Sequence, residues 1–314
     1  METNKKTAKT KVLSGIIPPM LTPLQADYKL DSKGLPKLLD HLMDGGVHGI
    51  FILGTTGESI SLSYQSRRDL IEQSAAHING RIPLLVGITD TSIEESLNLA
   101  TLAFENGAKA AVATPPFYFH LGQEELFEYY MELADRSKLP IIIYNMPSMT
   151  KISMDVETAA RLSKHPNIIG LKDSSANTVY FQSLKYTINR DDFSLFVGPE
   201  EIMAETVLMG AHGGVNGGAN LFPKLYVAMY AAAKAHDFDR IKILQKQILE
   251  IATLLYTVGK YNSSYLKGLK GAASLLGLCH NYLASPLKPF LEKEMVQITD
   301  NLERITSHLK EIQL

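Results

Sequence analysis

"PNIIGLKDSS", residues 166–175, is the stretch on which the fold turns. Ile168, Ile169 and Leu171 make a near-continuous apolar run between Pro166 and the small polar pair Ser174 and Ser175, the pattern of a strand buried on both faces. Strands of that kind belong to parallel sheets with helices on the outside. The run closes on Lys172, where a charged ammonium is costly to bury.

Outward from this stretch the same pattern recurs. "GIIPPMLTP" from Gly15, "GIFILGTTGE" from Gly49, "PLLVGITD" from Pro83, "AAVATPPFY" from Ala110, "PIIIYNMP" from Pro140, "SLFVGPEE" from Ser194 and "GGVNGGAN" from Gly213 each end in small or polar residues. Helical patterns such as "DSKGLPKLLDHLMDGG", "SIEESLNLATLAFENG", "QEELFEYYMELADRS" and "DVETAARLSKHP" separate them, with Asp, Ser or acidic openings and Gly or Lys closings. Eight alternating units predict an α/β fold, a (β/α)8 TIM barrel over residues 12–235, rather than an open doubly wound sheet. No glycine-rich dinucleotide fingerprint follows the first strand. Beyond the barrel the chain is expected to be an appended C-terminal helical region, 236–314, packed on it. "DRIKILQKQILEIATLLYTVG", "SYLKGLKGAASLLG" and "KEMVQITDNLERITSHLKEIQL" carry no strand signal.

Composition narrows the function. A net charge of -2 over 314 residues gives no basis for a nucleic-acid or anionic-membrane surface. No stretch approaches the roughly 20 apolar residues of a membrane span. Cys279 is the only cysteine, which excludes an intrachain disulfide and a thiolate metal cluster and suits a reducing, cytoplasmic setting. Residues 1–11, "METNKKTAKTK", are expected to form a disordered basic tail rather than a signal peptide.

A barrel of this kind carries its active site at the C-terminal strand ends. Lys172 there has two readings: a structural lysine paired with Asp173 or Glu58, or a nucleophilic amine, since burial disfavours the charged form. Tyr144, at the equivalent end of the preceding strand, favours the second. A buried amine condenses with a ketone to an imine, an electron sink, and a neighbouring phenol moves the protons that imine chemistry requires. In "GTTGES", Gly54 and Gly57 permit a tight turn whose N–H groups cradle a carboxylate. Thr55 and Thr56 add hydroxyls, one to orient the tyrosine and the other to hold the substrate acid.

"GTTGES", "YNMP" and "GLKD", with "TPPFYF" and "GGVNGGAN", resemble in order and spacing the dihydrodipicolinate synthase and N-acetylneuraminate lyase family of pyruvate-dependent class I aldolases. The resemblance runs from about Val12 to about Pro289. It implies a lyase in which Lys172 forms the Schiff base, Tyr144 shuttles protons and Thr55 belongs to the relay. It also implies that the Thr55 and Thr56 segment binds the carboxylate, that Val215 lines the pyruvate pocket, and that Tyr118 enters the neighbouring subunit's site in a homotetramer built as a dimer of dimers. No cofactor beyond the lysine imine is implied.

Two departures bear on the substrate. Lysine-pathway synthases resemble "YNVPSR" where this chain has "YNMPSM", so Met149 stands where an arginine would bind the aldehyde's carboxylate. Glu200 and Glu201 in "VGPEE" match the acidic pair that sugar-acid lyases turn toward a hydroxylated tail, with Ser174, Ser175, Asn216 and Asn220 as further polar candidates. The expected activity is cleavage of a 2-oxo-3-deoxy sugar acid to pyruvate and an aldehyde. The alternatives are 4-hydroxy-tetrahydrodipicolinate synthase or a dehydratase on a related acid. A metal-dependent enzyme is disfavoured because the nine histidines show no ligand spacing, and a non-catalytic binding protein because it has no need of a buried amine beside a phenol.

Overall fold

The computed structural model describes residues 12–314; the segment 1–11, expected to be a basic tail, lies outside the described residues. Eight short strands appear where the apolar runs predict them: β1 (Gly15–Ile16), β2 (Ile50–Ile52), β3 (Leu84–Gly87), β4 (Ala110–Ala113), β5 (Ile141–Asn145), β6 (Ile168–Asp173), β7 (Ser194–Val197) and β8 (Gly213–Gly214). They pair in parallel in the order β1-β8-β7-β6-β5-β4-β3-β2. Closure between β1 and β2 is irregular because Pro18 and Pro19 have no N–H to offer. The ladder there reduces to one bridge between Pro19 and Phe51, with Phe51 N donating to Pro18 O (3.0 Å) and Met20 N donating to Phe51 O (2.8 Å). The result is the expected (β/α)8 barrel with C-terminal helices.

Ile17, Phe51, Leu85, Val112, Ile142 and Phe196 fill the interior of the barrel, and a larger layer including Ile16, Ile50, Val86, Ile143 and Leu171 packs outward against the helices. Helices Tyr64–Ile78, Ile93–Glu105, Thr178–Thr187 and Phe238–Leu255 start where Ser63, Ser92, Asn177 and Asp237 accept an otherwise unpaired N–H of the first turn. The C-terminal helices Phe238–Leu255, Ser264–Leu275 and Glu292–Glu311 bury Ile248, Ile251, Leu269, Ile298 and Ile305 in the same outer layer, so the core is continuous from barrel to C-terminus.

One irregularity positions the chemistry. Between β5 and β6, Ile141 faces Ile168 but Ile142 faces Gly170, so Ile169 is an extra residue in the ladder. Ile169 packs toward the interior, whereas Leu171 packs outward, and alternation beyond the bulge leaves Lys172 facing inward. Gly170 allows the close approach to β7, since a Cβ there would meet Ser194 O at 2.6 Å.

Candidate active site

Past the bulge, Tyr144 and Lys172 face each other in register, as do Asn145 and Asp173. Lys172 is 4% exposed, with its Nζ 3.8 Å from the centre of the Tyr144 ring and 5.4 Å from that of Phe51. The Tyr144 hydroxyl lies 3.3 Å from Thr55 Oγ1. Burial opposes ionisation of Tyr144, but the charge of Lys172 and hydrogen bonds from Thr55, Lys172 and Ser174 outweigh it and hold the phenol below its ordinary value. A phenol held lower in this way gives up its proton more readily than free tyrosine.

Neither acid weighed as a partner for Lys172 is one. Asp173 faces away, accepting from Asn145 Nδ2 (2.8 Å), Ser175 Oγ (2.8 Å) and Ser175 N (3.1 Å). Asn145 Oδ1 in turn accepts from Met154 N, so this network ties the ends of β5 and β6 to the segment beyond. Glu58 is engaged by Lys270, fully buried on helix Ser264–Leu275, and by Ala284 N (2.7 Å). The turn Gly54–Gly57 lies between Leu53 and Glu58, both left-handed at φ 58°, a conformation costing about 1–2 kcal/mol for a residue with a side chain. The buried ion pair holds one end of that turn.

Within the turn the two threonines diverge. Thr55 serves Tyr144, whereas Thr56 is buried and its Oγ1 lies 3.1 Å from the hydroxyl of Tyr265. Gly57 accepts Thr22 Oγ1 at its carbonyl (2.6 Å). Lys172, Tyr144, Thr55 and Thr56 line a cavity of about 280 Å3 together with Val215, Ser174, Met146, Met149, Glu200 and Glu201. A second cavity of about 480 Å3 adjoins it beyond Tyr144, walled by Phe51, Val112, Phe117 and Leu266. Among the described residues no group of three or more His, Cys, Asp or Glu side chains is arranged to hold a metal ion. No helix among them is long and apolar enough to cross a membrane.

With this geometry in place, comparison with known proteins gives a consistent answer. The profile of the Dihydrodipicolinate synthetase family matches residues 12–305. The chain belongs to that family. A solved dihydrodipicolinate synthase from Bacteroides thetaiotaomicron superposes with a TM-score of 0.90 at 54% identity, covering 93% of this chain and 98% of that one. The 4-hydroxy-tetrahydrodipicolinate synthase of Methanopyrus kandleri is 33% identical over 289 residues, 91% of this chain and 94% of its own. A probable 2-dehydro-3-deoxy-D-pentonate aldolase of Escherichia coli K12, YjhH, is also 33% identical, over 78% of this chain and 82% of its own. The protein is thus a lyase of the Schiff-base-forming, pyruvate-dependent aldolase type.

Against that family background, several side chains stand differently from expectation. Glu200 is buried, and its carboxylate accepts from Tyr226 OH (2.7 Å), Tyr256 OH (2.7 Å) and Gly218 N (2.8 Å). Burial raises it to about 7 against those hydrogen bonds. Both acids line the cavity, Glu200 buried with its carboxylate engaged and Glu201 exposed. Asn216 is fully buried and donates to Gly198 O (2.9 Å) without lining the cavity, and Asn220 braces Leu21 N, Pro19 O and Gly217 O. Tyr118 is 79% exposed, rests edge-on against Phe119 and lines neither cavity in its own chain. Tyr256, Asn262 and Tyr265, all from the C-terminal region, line the cavity and escape sequence reasoning. Their only signal is an aromatic-rich stretch in a helical region whose partners lie far upstream, 56 residues away for Tyr256 and Glu200 and 209 for Tyr265 and Thr56.

Proposed function

We propose that the protein cleaves a 2-oxo-3-deoxy sugar acid to pyruvate and an aldehyde, or joins them in reverse, through an imine on Lys172. The observation that carries this reading is the charge of the cavity: among the described residues Lys172 is the only cation lining it, against Glu200 and the exposed Glu201, with Met146 and Met149 also in its wall. An aldehyde bearing a second carboxylate meets no cation there and faces an acid. A polyhydroxylated tail offers donors to Glu201 and finds Ser174 and Asn262 as polar neighbours. Lys151 does not substitute for a missing arginine, because its Nζ donates to Ser148 O (2.7 Å) on the surface. The likeness to the E. coli pentonate aldolase supports the same substrate class.

The Lys172 amine adds to the C2 carbonyl, and the carbinolamine loses water with a proton from Tyr144, leaving the iminium and the Tyr144 phenolate. That phenolate takes the C4 hydroxyl proton, the C3–C4 bond breaks, and its electrons pass to the iminium nitrogen as an enamine while the aldehyde leaves. Tyr144 returns the proton to C3. Addition of water then releases pyruvate and restores the amine. Thr55 orients Tyr144, and the Thr56 turn receives the carboxylate. A second copy of the chain supplies Tyr118 toward the adjoining cavity, in a homotetramer assembled as a dimer of dimers. The exposure of Tyr118 and Phe119 (79% and 75%) supports that arrangement, and a monomer in analytical ultracentrifugation would remove it.

The synthase reading is favoured by the names of several relatives, including that from M. kandleri. One assay separates the two: pyruvate release from a panel of 2-oxo-3-deoxy sugar acids, beside condensation of pyruvate with aspartate semialdehyde. Pyruvate release from at least one sugar acid is expected; turnover of aspartate semialdehyde alone would establish the synthase.

A further inference from the structure

Helix Ser264–Leu275 grips the carboxylate-binding turn at two points, Lys270 on Glu58 and Tyr265 on Thr56. The first is a buried ion pair that anchors the helix. The second reaches the site itself, since Tyr265 and Thr56 line the same cavity. The Tyr265 hydroxyl rests over Gly217, where even a Cβ would come within 1.8 Å of the oxygen, and its ring meets Tyr256 edge-on at 4.8 Å. Tyr256 is held in turn by Glu200. The hydroxyl is therefore confined between the β2 turn and the β8 loop.

A carboxylate accepts hydrogen bonds and donates none. For Thr56 to bind one, its single proton must point at the ligand, so its oxygen is left to accept from another donor. Tyr265 is the partner found on Thr56 Oγ1. We propose that Tyr265 is a positioning residue for the 2-oxo acid: by donating to Thr56 it commits the threonine proton to the substrate carboxylate before substrate arrives. Burial raises the Tyr265 phenol, so it stays protonated and able to donate. This inference rests on the reading of the site as a 2-oxo acid site.

The test is the pyruvate dependence of the borohydride-trapped Lys172 adduct, read by mass in wild type, Tyr265→Phe, Thr56→Val and the double variant. Tyr265→Phe keeps the ring and is expected to raise half-saturating pyruvate about three- to tenfold at unchanged maximal trapping. Thr56→Val is expected to raise it at least as far, and the double variant no further than Thr56→Val alone. Gly217→Ala, which displaces the hydroxyl without removing it, should reproduce the Tyr265→Phe shift. Unchanged half-saturation in Tyr265→Phe, or single effects that multiply in the double variant, would overturn the role of Tyr265 while leaving the imine site intact. A wild-type protein that traps no pyruvate would overturn both.

Discussion

Tyr144 and Lys172 stand directly opposite each other on adjacent parallel strands, with the lysine nitrogen 3.8 Å from the centre of the tyrosine ring. Each shapes the other's chemistry. The lysine charge helps to hold the phenol below its ordinary value, and the ring covers the lysine amine. Tyr144→Phe preserves that cover but removes the proton carrier. Turnover should fall by about 10²- to 10⁴-fold, while slow trapping of pyruvate on Lys172 persists; trapping kinetics beside steady-state rates check this, and Lys172→Ala should trap nothing.

Thr55 is one of the groups that lower Tyr144. Without its hydroxyl, in Thr55→Val, the phenol rises. If cleavage draws on the ionised form, the acidic limb of the pH–kcat/KM profile moves to higher pH. A profile that keeps its position while falling in height would assign Thr55 to binding alone.

Glu58 and Lys270 are both buried, so removing one partner strands the other's charge. Lys270→Met is expected to cost about 3–5 kcal/mol in chemical denaturation, and the double variant Glu58→Met with Lys270→Met considerably less. The double variant also tests the turn, because Glu58 must still adopt its left-handed backbone without the carboxylate that anchors it.

Glu200 is raised by burial from 4.5 to about 7, so the folded protein binds its proton more tightly than the unfolded chain does. Between those values the folded state holds a proton that the unfolded state lacks, and stability falls as pH rises. Its contribution is fully present below about 4.5 and lost as pH passes 7, to the order of 3 kcal/mol. Thermal denaturation of wild type and Glu200→Gln at pH 5 and pH 7.5 should show a slope in the first that is missing in the second.

Met149 predicts substrate choice. Met149→Arg should favour condensation with aspartate semialdehyde over sugar-acid cleavage by about 10- to 100-fold, the range for a charge-assisted contact to a carboxylate. Competition between the two reactions in one variant measures it.

The strand ends were legible because Lys172, Tyr144 and "GTTGES" each break an apolar run at the place where a barrel exposes its chemistry. Which way Lys172 points was not. In a strand apolar on both faces no alternation marks the inward side, and nothing in "NIIGLK" announces that Ile169 is unpaired. The C-terminal contribution was hidden for another reason: Tyr265 meets Thr56, and Lys270 meets Glu58, across sequence separations of 209 and 212 residues. Glu200 lines the cavity but is less free than its sequence suggests. Its place in "VGPEE" suggests a group turned to substrate, yet Tyr226 on a later helix and Tyr256 just past the end of another claim the carboxylate.

The bulge at Ile169 makes the direction of Lys172 a matter of register. Ile168 pairs with Ile141 and Gly170 with Ile142, so Ile169 can be exchanged or removed while Lys172 keeps its place opposite Tyr144, whereas pairing Ile169 into the ladder would turn Lys172 to the helix layer and Leu171 to the cavity. The direction of Lys172 therefore depends on the register of β6 and hardly at all on which residue fills the bulge.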